Sequence, residues 1–169
     1  MRVPRFHIPV ILIVIFGAIL RFTNLNWDNG GRLHPDEALI VNGAIAIKFF
    51  SQLFPGFHDY NGLSVYLLAG VSQLASLVSG SLYWSQSPEG VTIVGRFLSA
   101  LMGTVSIPLL YLLGKRLWRH TAGIYAAAFL ASSPLIIQLA HFYTTDNLLL
   151  LLLIILLNTA APNTQKPHR

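Results

Sequence analysis

Cysteine is absent from the 169 residues. Its absence excludes disulfides, zinc–thiolate sites and a thiol nucleophile, and leaves the redox compartment undecided. Charge is scarce as well. Asp, Glu, Lys and Arg together make up 10% of the chain, against about 25% in an ordinary soluble domain. No glycine-rich phosphate loop, Gly-x-Ser-x-Gly elbow or His-Glu-x-x-His pair occurs, so three common catalytic motifs are out of consideration. The longest basic group is Lys115-Arg116 with Arg119. A net charge of +5 therefore points to loops flanking membrane spans rather than to nucleic acid.

Apolar residues, in contrast, are abundant. They form 54% of the chain and give a mean hydropathy of +0.61. They are gathered in long runs, which indicates an all-α integral membrane protein that crosses the bilayer several times. The first run, Ile8 to Leu20, follows Arg2 and Arg5. It lacks the small-x-small cleavage site of a signal peptide and reads as an uncleaved span over about residues 6–22. Four further runs cover Ala38 to Phe54, Gly62 to Val78, Val91 to Gly114 and Ala122 to Ala161. The last is too long for one helix through about 30 Å of hydrocarbon. Ser132-Ser133-Pro134 and the polar stretch from His141 to Asn147 divide it.

Charge placement selects among the possible topologies. In the run from Ala38 to Phe54, Lys48, Ser51 and Gln52 share a helical face with Glu37, which predicts an amphipathic interfacial helix. Gly62 to Val78 carries Ser64, Ser72, Gln73 and Ser76 and is ambiguous by itself. If neither run crosses, Arg2, Arg5, Lys115, Arg116, Arg119, Lys166 and Arg169 share one side without a single acid, as the positive-inside rule prefers. The expectation is four transmembrane helices, at about residues 6–22, 91–114, 122–139 and 142–161. An external loop, 23–90, carries two interfacial amphipathic helices. A polar cytoplasmic tail, 162–169, follows the membrane module of residues 1–161. Both termini are then cytoplasmic, in a multi-pass protein of the plasma (inner) membrane.

Candidate chemistry gathers at the outer level of this topology. His34-Pro35-Asp36-Glu37 opens the first amphipathic helix. The bland reading is that proline takes the first helical position and the acids complement the helix dipole. Arg96 lies near the outer end of its span, where snorkelling would explain it. Asp146 begins the last span, where capping would explain it. Together they place two acidic sites and one permanent cation on three connections at one level, and ionisable residues at such places are functional candidates.

The ordered set resembles a known family. It runs from Arg21-Phe22 through Asp36-Glu37, the Tyr-rich segment from Tyr60 to Tyr66, and Gly95-Arg96-Phe97-Leu98-Ser99-Ala100-Leu101. The basic turn Gly114-Lys115-Arg116-Leu117-Trp118, then Ser133-Pro134, then Phe142-Tyr143-Thr144-Thr145-Asp146 complete it. The chain looks like the amino-terminal part of the GT-C-fold integral-membrane glycosyltransferases. The branch it resembles is that of the protein O-mannosyltransferases and the lipid A aminoarabinose transferases. The resemblance implies a transmembrane glycosyltransferase that moves a sugar from a polyprenyl-phosphate donor to an acceptor hydroxyl, on protein or lipid, at the external face. It implies Asp36 as catalytic base with Glu37 in support, Arg96 at the lipid phosphate, and Asp146 orienting a substrate. Family members are longer, so the expectation is a truncated module or one completed by a partner.

Other residues carry weaker expectations. Lys48 can assist with the phosphate, although snorkelling is the simpler reading. Tyr60, like Trp27, Tyr66, Tyr83 and Trp84, can stack on sugar, but an aromatic belt explains most of these. No cofactor is assigned. A divalent metal held by His34, His58 or His141 with Asp36, Glu37 or Asp59 is a secondary possibility of irregular spacing. The alternative function is a non-catalytic membrane subunit or a component of lipid-linked-sugar transport. A transporter calls for ionisable groups near mid-membrane, whereas here they sit at the boundary.

Overall fold

A computed structural model describes residues 8–49, 51–56 and 62–162. Tyr60, His58 and Asp59 lie outside the described residues. Among the described residues the chain is helical apart from loops and one isolated antiparallel bridge, Lys48 with Gln52. The helices are α1 (Ile8–Phe22), α2 (Pro35–Ala46), α3 (Gly62–Ser79), α4 (Tyr83–Gln86), α5 (Pro88–Leu117), α6 (His120–Ser132), α7 (Pro134–Ala140) and α8 (Asp146–Ala160). They fall into two compact units. One comprises α1, the part of α5 from Ala100, and α6, α7 and α8; the other comprises residues 24–99 and 141–145.

Helix length and composition fit an integral membrane protein. α3 and α5 are long and apolar enough to cross a bilayer, and α6 with α7 forms a third candidate if the bent pair is one span. α1 and α8, of 15 residues each, are shorter apolar helices, reaching about 22 Å at 1.5 Å per residue. The expected four spans thus meet two or three helices of sufficient length.

Residues 62–78, expected as an interfacial helix, form a helix with the length and apolarity of a candidate span. Ser64, Ser72 and Ser76 of α3 are buried, while Leu74, Leu77 and Val78 are exposed, the last two at 80% and 82%. The serines that made this run resemble an interfacial helix point inward together with Val65, Leu68 and Ala69, while Leu74, Leu77 and Val78 point out. An exposed apolar face of this kind fits lipid surroundings.

The expected helix over residues 38–54 ends early. α2 stops at Ala46, and Ile47 turns to extended geometry. The buried Ile47 gives its carbonyl to Gln73 Nε2 at 2.9 Å. Lys48 and Gln52 then exchange backbone hydrogen bonds of 2.7 and 2.8 Å across a tight loop. Lys48 is consequently not on a helical face with Glu37.

The unit containing α1 packs Val10, Ile107, Tyr111, Ala127, Leu130, Ala131 and Ile154 into one cluster. Its helices approach closely where side chains are missing: a Cβ on Gly114 would lie 2.9 Å from Gly123 Cα. Small residues of this kind let backbones touch in membrane bundles. Between α6 and α7 the chain bends by 56° at the predicted break, Ser133-Pro134. Proline has no N–H to return to the Leu130 carbonyl. Arg21 fills the gap: its guanidinium donates to Leu130 O at 2.8 Å and to Ala131 O at 3.0 Å, and also to Gly17 O at 2.9 Å. The last carbonyls of a helix need such donors, and cations are favoured there.

Candidate functional site

The second unit is built around one saturated guanidinium. Residues 24–32 form a loop in which Asn24, Asn29, Gly30 and Arg32 adopt left-handed backbone, a region that glycine and asparagine enter most readily. Backbone bonds from Asn29 N–H to Asn26 O and from Gly31 N–H to Asp28 O curl it tightly. The curl presents the Asp28 carboxylate, whose side chain is 2% exposed, to Arg96 on α5. From α2, the fully buried Glu37 meets the same guanidinium.

Every donor of Arg96 is in use. Nε donates to Glu37 Oε1 at 2.9 Å and Nη2 to Glu37 Oε2 at 2.7 Å. Nη1 and Nη2 each donate to an Asp28 oxygen at 2.8 Å, and Nη1 also to Leu25 O at 3.0 Å. Five N–H groups are all that a guanidinium has. The carboxylates receive further support: Tyr143 N–H donates to Glu37 Oε1 at 2.8 Å and Gly30 N–H to Asp28 Oδ1 at 3.2 Å. The Arg96 side chain is wholly buried, and the Trp27 ring lies over it at 5.6 Å. Pairing of this completeness offsets the cost of burying the charges. Hydrogen bonding from Arg96 holds the Asp28 carboxyl at about 2, well below the usual carboxylate range.

Tyr143 ties in a second connection. Its hydroxyl donates to Ser64 O at 2.9 Å, and burial raises its pKa, so that the proton stays on. The approach needs Gly95, where a Cβ would lie 2.8 Å from Tyr143 Cβ. Gly95-Arg96 thus works as a pair, one residue admitting the tyrosine and the next binding the acids. Phe142 beside it stacks edge-on with Trp27 at 5.6 Å and lies 5.1 Å from the His34 ring.

Asp36 is the exception in this network. It shares the first turn of α2 with Glu37, is half-buried, and has no hydrogen bond or ion pair among the described residues. Three acids and one arginine therefore separate into a closed set (Asp28, Glu37 and Arg96) and one carboxylate that remains available. The third expected acid, Asp146, is exposed at the start of α8 and belongs to the other unit. Lys48 is exposed in its tight loop. Among the described residues no group of three or more His, Asp or Glu side chains is placed to hold a metal.

The role at a lipid phosphate that the resemblance implies for Arg96 meets a guanidinium whose donors are all occupied by Glu37, Asp28 and Leu25. Asp28, for which the sequence carries no expectation, is one of its two carboxylate partners. The only signal was an acid in a loop otherwise free of charge between Arg21 and Arg32.

Residues 89–167 match the family model described as dolichyl-phosphate-mannose-protein mannosyltransferase. The match supports a likeness to mannosyltransferase-type glycosyltransferases over that part of the chain. It includes Arg96, Tyr143 and Asp146, and it begins after Asp28, Asp36 and Glu37. No curated protein and no solved structure matches the chain.

Proposed function

We propose that this chain is a membrane glycosyltransferase module in which Asp36 is the general base. In the proposed reaction the sugar comes from a polyprenyl-phosphate donor, mannose being the sugar that the family likeness favours. An acceptor hydroxyl attacks the anomeric carbon, its proton passes to Asp36, and the carbon–oxygen bond to the phosphate breaks. A carboxylate placed to take that proton contributes roughly 10²–10⁴-fold. The observation that carries the reading is the state of the three acids. Asp28 and Glu37 are consumed by Arg96, while Asp36, next in sequence to Glu37, is unpaired and half-buried.

Arg96 then acts through the acids rather than on the substrate. Clamping Glu37 fixes the first turn of α2, and Asp36 is carried on that turn. The countercharge for the leaving phosphate is left to a group outside this set.

The test is sugar transfer in proteoliposomes holding the full-length protein, with polyprenyl-phosphate mannose and a hydroxyl acceptor. Asp36→Asn is expected to lower the rate at least about 10²-fold and to leave the unfolding midpoint in place, since Asp36 has no partner to lose. A variant with unchanged transfer overturns the assignment.

A further inference from the structure

A second site lies at the opposite end of α2. Ten residues separate Glu37 from Ile47, which is about 15 Å along a helix. There the end of α2, the loop at Lys48, the last turns of α3 and the short α4 enclose a cavity of about 520 Å³. None of Asp28, Asp36, Glu37 and Arg96 lines it, so a ligand held here is not the one reacting at Asp36.

The lining has a consistent chemical character. It contains one cation, Lys48, and no acid. The Lys48 ammonium and the exposed Gln86 amide have no side-chain partner among the described residues. Ser76 donates to Ser85 at 2.8 Å, which leaves the Ser85 O–H for a ligand. The polar wall thus offers an ammonium, an amide and a hydroxyl, all donors to an anion. The other wall is apolar, with Leu77 and Leu82. That wall continues outward: Leu77, Val78 and Leu82 are 80%, 82% and 63% exposed. Tyr83 and Trp84, in edge contact at 5.1 Å, stand next to Ser85, and such aromatic pairs favour headgroup level in a bilayer.

We infer that this cavity binds the phosphate of an anionic bilayer phospholipid through Lys48, Ser85 and Gln86, with an acyl chain along Leu77 and Val78. A free phosphate would leave the apolar wall and its outward continuation unused. The site is independent of the transfer chemistry proposed for Asp36, and neither test decides the other.

The experiment is native mass spectrometry of the full-length protein released from detergent, with phosphatidylglycerol or phosphatidylcholine added in equal amounts. Wild type is expected to retain phosphatidylglycerol selectively. Lys48→Gln is expected to weaken that retention about tenfold or more, the effect of one charge-assisted hydrogen bond, while Lys48→Arg keeps it. Leu77→Asp, which brings a carboxylate and removes apolar wall, is expected to release the lipid in an otherwise intact protein. Equal retention by wild type and Lys48→Gln overturns the inference. Displacement by millimolar inorganic phosphate also overturns it, in favour of a free-anion site. Displacement by stoichiometric undecaprenyl phosphate overturns it in favour of a donor site.

Discussion

Among the described residues two arginines are fully buried, and they are held in opposite ways. Arg21 has no carboxylate among its hydrogen-bond partners; it donates to the carbonyls of Gly17, Leu130 and Ala131. Arg96 meets two carboxylates and one carbonyl. The first repairs a break in a helix. The second holds three chain segments together by charge and leaves a neighbouring acid unpaired. In an apolar chain a buried cation can therefore mark a backbone defect as well as a site, and the partners decide which. Backbone carbonyls at a proline point to structure; buried acids beside an unpaired one point to function.

The difference predicts unequal consequences. Arg96→Leu strands Glu37 and Asp28 in a buried environment, and breaking a pair of this kind destabilises by about 3–5 kcal/mol. The unfolding midpoint in detergent, read by circular dichroism, should fall accordingly, and transfer activity with it. Arg21→Met removes a buried charge together with its hydrogen bonds, so part of the loss is offset by relieved desolvation. A net loss of about 2 kcal/mol is expected. The comparison fails if the two variants are equally destabilised.

A double-mutant cycle sharpens the Arg21 side. Pro134→Ala restores an N–H that can reach back to the Leu130 carbonyl. If Arg21 serves the break, Arg21→Met should be milder in that background, with a coupling of about 1 kcal/mol. Strict additivity would mean that the proline is not the reason for the arginine.

Much of this was legible beforehand, and the boundary has physical causes. The break at Ser133-Pro134 and the start of α2 at Pro35 follow from local backbone chemistry, which one sequence contains. So does the long apolar run that becomes α5. The end of α2 does not, because it depends on Gln73, 26 residues away, capturing the Ile47 carbonyl. The burial of Ser64, Ser72 and Ser76 on α3 is not legible either, since serines look alike whether they face water or a protein interior. Asp36, Glu37 and Arg96 were visible as a set, and two of them do meet. Their division of labour was not visible, because Asp28 reaches Arg96 only through the left-handed curl of residues 24–32. Tyr143 entered the reading as part of a motif; its grip on Glu37 and Ser64 requires the space at Gly95.

Acid sensitivity separates the two arginines most cleanly. The Asp28 carboxyl is held at about 2 in the folded protein, below its unfolded value of about 3.9. A lowered folded value means the carboxylate contributes stability that is fully present above about pH 4. That contribution is lost as the pH falls through about 2. Wild type should therefore lose part of its stability between those limits. Asp28→Asn should start lower at pH 6 and show a flatter profile, so that the two curves draw together at low pH. Among the described residues Arg21 has only backbone carbonyls as hydrogen-bond partners. Arg21→Met should accordingly lie below wild type by a constant amount at every pH. Parallel curves for Asp28→Asn would remove the ion pair as the source of the effect, and a pH-dependent gap for Arg21→Met would show that an acid serves it after all.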